Sequence, residues 1–199
     1  MKATFFPSVR GTMGDWTYYV TVMGVGDLVR YVRFAEELSP NPDLDSMIQR
    51  ELTKRAKDIA DYLRTHEQRF FGSLIIAALD GQPRFRPIAL DDTLLVGENR
   101  AGVLQFDGTE QYYALDGQHR LAAFKLELIR EPERYKDDQV PTIVICHSDN
   151  KEGRTRARRL FTTVNRYAKK NSTGHKYGYE RGRWCCPGHA AADSRTRTL

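Results

Sequence analysis

Apolar residues fall into two periods along this chain, and the switches between them outline its elements. Tyr18-Tyr19-Val20-Thr21-Val22-Met23 is rich in β-formers between Gly14 and Gly24, which predicts a strand. Asp27 can cap a short helix covering Leu28, Val29, Val32 and Phe34. Ser39-Pro40-Asn41-Pro42-Asp43 is a turn-rich break. Ile48, Leu52, Ala56, Ile59 and Leu63 then recur at helical spacing, with Ser46 as N-cap and Thr65 near the end. The other face of that helix carries Arg50, Lys54, Arg55, Lys57 and Arg64 and reads as solvated.

Ser73 to Leu79 predicts a buried strand, turned by Asp80-Gly81. Phe85 to Leu90 reads as a strand that could pair with it, with Pro87 arguing for a sheet edge. Val103–Phe106 and Gln111–Leu115, around Asp107-Gly108, predict a hairpin. Gln118 to Arg130 reads as a helix with Leu121, Ala122, Phe124, Leu128 and Ile129 as its apolar set, stopped by Pro132. Val140 to Ile145 is a further strand. Residues 152–169 return to helix, with Ala157, Leu160, Phe161 and Val164 inward and the arginines outward. Strands and helices mix without strict βαβ alternation, which predicts an α+β fold with a mixed sheet.

A length of 199 residues suits one domain with a substantial core. A chain 40% hydrophobic and 29% charged is neither disordered nor fibrous. The longest strongly apolar run, Leu74 to Leu79, is too short for a bilayer, and the N-terminus lacks an apolar signal core. Three cysteines, two of them adjacent, make no disulfide framework, so a cytoplasmic setting is expected.

The net charge of +5 is unevenly spread. Residues 1–150 carry −5, whereas residues 151–170 carry +7. Such a segment attracts phosphates over a Debye length of about 8–10 Å. Arg154, Arg158, Arg159, Arg166, Lys169 and Lys170 are its candidate DNA contacts. On one helix, Arg158, Thr162, Asn165 and Lys169 form a stripe. A solvated basic face is the competing reading.

The densest chemistry lies at Asp116-Gly117-Gln118-His119-Arg120, where a strand meets a helix. The first helical turn offers unpaired N–H groups and the positive end of the macrodipole. Gly117 admits close approach; Gln118 brings an amide, His119 an imidazole and Arg120 a guanidinium fork. These are components of a phosphate or nucleotide site. Asp116 repels a bare phosphate and suits a metal ligand, or an orienter of Arg120 or His119. The competing reading has Asp116 capping the helix and its neighbours merely packing. Asn165 either joins the phosphate contacts or hydrogen-bonds the Asp116 loop. His66, His147 and His175 lack ligand spacing, and Cys146 reads as a small core residue. Cys185-Cys186 with His189 lacks zinc-finger spacing.

Leu115-Asp-Gly-Gln-His-Arg-Leu-Ala-Ala123 resembles the DGQHR signature. Arg10-Gly11 followed by Tyr18-Tyr19-Val20, the Ser73–Leu79 strand with Asp80-Gly81, and Leu160 to Lys169 follow in the same order. Together, from about residue 7 to 173, the chain resembles the DndB-type proteins of bacterial DNA phosphorothioation. That resemblance implies a ParB/sulfiredoxin-like core. It implies phosphate contacts at Gly117, Gln118, His119 and Arg120, with Asp116 beside them. It also implies a DNA-binding regulator of the dnd cluster, with the cluster's promoter region and other dnd-system proteins as partners, and it leaves room for an oligomer. The rival implication is an ATPase or DNA nickase that holds a nucleoside triphosphate and Mg²⁺. There Arg120 would clamp phosphate, Asp116 would hold metal, and His119 would act as general acid or base. A purely structural interaction subunit is a third reading.

Residues 174–199 show no periodicity. Degenerate codons for this stretch, read one base later, permit an acidic start followed by an amphipathic helix. The expectation is therefore a family domain over 1–173 in a truncated member, followed by a disordered frameshift tail.

Overall fold

The computed structural model describes residues 3–35, 42–81, 83–88, 100–147 and 150–168, with the backbone alone for 42–53 and 166–168. The described elements run β1 (Thr4–Met13), β2 (Trp16–Gly24), α1 (Val25–Tyr31), β3 (Val32–Phe34), α2 (Pro42–Thr65), β4 (Leu74–Leu79) and β5 (Arg84–Pro87). They continue with β6 (Ala101–Phe106), β7 (Gln111–Asp116), α3 (Gln118–Arg130), β8 (Gln139–His147) and α4 (Lys151–Ala168). One sheet takes all eight strands in the order β3-β7-β4-β8-β2-β1-β6-β5. The β3–β7 and β4–β8 pairs are parallel and the rest antiparallel, so the sheet is mixed and the fold α+β, as expected.

β4 is buried because helices cover both of its faces. Leu74, Ile76 and Ala78 join Leu28, Leu63, Leu104, Phe106, Leu121 and Phe124 in the larger core beneath α1, α2 and α3. Ala77 and Leu79 join Tyr113, Leu115 and Ala157 in a smaller core beneath α4. β5 is the terminal strand of the sheet, the edge position that Pro87 requires, but it pairs with β6 and not with the Ser73–Leu79 strand.

Three expectations change. The predicted hairpin does not form: β6 pairs with β1 and β5, and β7 pairs with β3 and β4. The Asp107–Glu110 link is too long for a two-residue turn. Buried Glu110 accepts the N–H groups of Asp107 (3.0 Å) and Gly108 (2.9 Å), which holds the link open. The helix expected through Phe34 stops at Tyr31, and its N-cap is Gly24 rather than Asp27. Val32 and Phe34 instead form β3, drawn into strand geometry by Tyr112 and Ala114 alongside. α2 begins at Pro42, so Ser46 lies within the helix rather than at its cap. β1 is an addition, since Pro7 and Gly11 masked a strand that pairs on both edges. His175 and the tail from 174 lie outside the described residues.

Candidate phosphate-binding loop and basic helix

β7 ends at Asp116, and the chain turns into α3 through Gly117 at φ 88°. A Cβ there would stand 2.8 Å from Leu74 Cγ and 3.0 Å from Arg120 Nη2. Both the left-handed backbone and the packing therefore demand glycine. Gly117 is also the N-cap, and no side chain caps this helix, so Asp116 is not the cap. Its carboxylate accepts Arg120 Nη2 at 3.1 Å instead, the orienting role foreseen for it. Arg120 Nη1 donates to the Gly72 carbonyl. The guanidinium thus staples the segment before β4 to the turn after β7, with 18% of its side chain exposed.

The last carbonyls of β7 are held from two sides. Gln118 Nε2 donates to Ala114 O at 3.2 Å, and Asn165 Nδ2 donates to Leu115 O at 3.0 Å and to Phe161 O at 2.8 Å. Asn165 thereby takes the second of its two sequence-level readings, a hydrogen bond to the strand end that leads into the loop. His119 is half-buried in the first turn. The first helical bond of α3 runs from Leu121 N to Gly117 O at 2.9 Å. The N–H groups of residues 118–120 lie ahead of it, at the positive end of the helix.

For Mg²⁺ this loop brings one carboxylate, Asp116, and its Oδ2 already accepts Arg120 Nη2. A catalytic Mg²⁺ typically uses one or two carboxylates together with substrate phosphates. Among the described residues, no group of three or more His, Cys, Asp or Glu could hold a metal.

α4 starts at a cap the sequence reading missed: Asn150 Oδ1 accepts Gly153 N at 2.7 Å. Its apolar stripe seats fully buried Ala157, with Leu160 and Phe161, on Leu79, Tyr113 and Leu115. Arg158 and Arg159 are exposed. With Thr155, Thr162 and Thr163 they line an open groove of about 460 Å³. The Thr155 and Thr162 hydroxyls donate to the carbonyls of Lys151 and Arg158, so the groove's positive charge comes from the two arginines. Arg154 is half-buried. The side chain of Arg166, and Lys169 and Lys170, lie outside the described residues. The proposed stripe splits: Arg158 and Thr162 face solvent while Asn165 turns to β7.

A second cluster was not foreseen. Arg156 lies 4.8 Å over the Trp16 ring, and Trp16 meets His147 edge-on at 5.5 Å. Asp15, Cys146 and Asn150 complete an open cavity of about 390 Å³. Burial, with the Arg156 charge, pushes the His147 pKa down. Burial, then Glu110, pushes the Cys146 thiol up to about 12, so this cysteine behaves as core. Trp16 and His147 are far apart in sequence, and only the β2–β8 pairing brings them together. The two clusters occupy opposite ends of β4, where Ile75 pairs with Asp116 and Leu79 with His147.

A strand-turn-helix held by Gly117 and Arg120, on a mixed sheet backed by a basic helix, agrees with the ordered motifs in the sequence. A family model described as DndB, DNA-sulfur modification-associated, matches residues 6–183, and the chain belongs to that family. No curated protein and no solved structure matches it. No helix among the described residues is long and apolar enough to cross a membrane.

Proposed function

We propose that this chain is a DNA-binding regulatory protein of a DNA phosphorothioation system, acting in the cytoplasm on the promoter region of the dnd cluster. The observation that carries the reading is α4. It buries Ala157, Leu160 and Phe161 on the sheet and turns Arg158 and Arg159 outward over a groove whose lining holds no acid. A packed helix with paired exposed arginines positions cations against a phosphate backbone. Arg154, Arg166, Lys169 and Lys170 are proposed as further DNA contacts on the strength of their charge in the sequence, and the N–H groups in the first turn of α3 as additional donors. Residues 1–173 are taken as the DNA-contacting unit, with a ParB/sulfiredoxin-like core, while the family match itself runs on to residue 183.

The nucleotide-hydrolase alternative is weaker, because both terminal nitrogens of Arg120 serve protein acceptors and Asp116 serves Arg120. The test is duplex binding by fluorescence anisotropy across a salt series. Arg158→Ala and Arg159→Ala are each expected to weaken binding and to reduce the log–log salt slope by about 1. An unchanged slope in both variants overturns the proposal. A thermal shift with ATP and Mg²⁺ that Arg120→Ala abolishes would revive the alternative.

A further inference from the structure

One row across β1, β2 and β8 is inverted, although Phe6, Met23, Val140 and Val144 of the same strands face the core. In an antiparallel sheet with one solvated face, apolar side chains point to the core and polar ones to water. Here the row Ser8, Thr21 and Thr142, aligned by register, is buried on the core side. Each hydroxyl donates to a backbone carbonyl: Ser8 to Phe6, Thr21 to Pro7 and Thr142 to Val140. The opposite face carries the apolar row Val9, Val20 and Ile143. Phe5 (56% exposed), Val9 (52%), Val20 (41%), Val22 (51%) and Met13 (75%) lie open on it. α4 packs on β7, β4 and β8 of this same face, and the open patch lies beyond it on β2 and β1.

We infer that this face is the interface of a two-fold dimer, in which β1 and β2 of one copy pack face to face on those of a second. The charge pattern favours a second copy. The outer positions of β1 and β2, from Phe5 to Met13 and Trp16 to Val22, carry no ionisable acid or base except the tyrosine phenol of Tyr18. A self-complementary interface sets like against like, which apolar side chains tolerate and charges do not. Arg84 and Arg86 stand at one rim of this face on β5, exposed to water, and the α4 arginines, with Arg156 over Trp16, stand at the other. Covering the five exposed side chains removes on the order of 500 Å² per copy, so a pair buries about 1,000 Å², the floor for a biological interface and the size of a weak one. Flanking Pro7, Val103 and Ile143 add to it. Sheets pack face to face at about 10 Å with aligned strands, a geometry open to this surface.

The test is light scattering coupled to size exclusion over a concentration series of the whole chain. The unaltered protein is expected to run as a dimer. Val9→Lys and Val22→Lys, both at half-exposed positions, are each expected to raise the dimer dissociation constant at least tenfold. Circular dichroism of each variant should match the parent. Met13→Lys, at the most exposed of the five, serves if either misfolds. Ile129→Lys, on the outer side of α3, is expected to leave the dimer intact. A parent that stays monomeric at 100 μM-scale concentration (roughly the range in which weak interfaces form), or a dimer indifferent to the β1 and β2 variants, overturns the inference. Because the readout is mass, it stands apart from the DNA-binding result.

Discussion

The two faces of the sheet have been treated differently. Beneath α1, α2 and α3, large side chains from distant segments close into one core: Leu28, Leu63, Leu74, Phe106, Leu121 and Phe124. On the other face, among the described residues, α4 covers three strands and the strands beyond it stay open. The closed face carries the stability of the fold. The single-helix face carries the exposed arginines, the aromatic cluster at Trp16 and the apolar patch. The Asp116–Arg120 turn sits where the two meet, held by Gln118 from α3 and by Asn165 from α4.

That division can be tested by substitution. Leu121→Ala, fully buried on the three-helix face, is expected to cost about 2–5 kcal/mol in chemical denaturation. Val22→Thr on the open face should stay within about 0.5 kcal/mol for the monomer. Similar losses from both would mean that the open face is a core. Gly117→Ala comes next. The left-handed backbone and the approach of Leu74 and Arg120 predict a loss of roughly 1–3 kcal/mol, and an unchanged melting temperature would show that the turn relaxes freely.

Asn165→Ala removes the hydrogen bond that joins α4 to the end of β7. A loss of about 1 kcal/mol is expected, together with faster amide exchange at residues 116–120. Exchange that does not change would separate the two faces more completely than the geometry implies. The smallest effect concerns pH. His147 has a folded pKa below the unfolded value of about 6.5, so the unfolded chain binds the proton more tightly. Its stabilising contribution is complete above that value and falls away as pH drops below it. Melting temperature should therefore decline between pH 7 and 5, and less steeply in His147→Phe.

Local pattern was enough for elements whose fate is decided by their own side chains. α3 follows from Leu121, Phe124 and Leu128, β4 from its unbroken apolar run, and the edge position of β5 from Pro87. Pattern failed where pairing decides. Phe106 and Gln111 flank an Asp-Gly that looks like a hairpin turn, yet their strands pair elsewhere in the sheet. β1 is not legible because Pro7 and Gly11 interrupt its strand pattern and Ser8 takes an inside position beside Phe6. At the candidate site, Asp116 to Arg120 was legible as a constellation. That Arg120 spends its donors on Gly72 and Asp116 was not, because Gly72 is 48 residues away.

The sequence by itself determined the family, the α+β character and the concentration of positive charge after residue 150. These follow from residue identity and short-range spacing, which survive without knowledge of neighbours. Only the tertiary structure decided which face each strand presents, which arginines are exposed and which are tied down, and that Trp16, His147 and Arg156 share one cavity. Those outcomes depend on strand order and register, and contacts between distant segments set them.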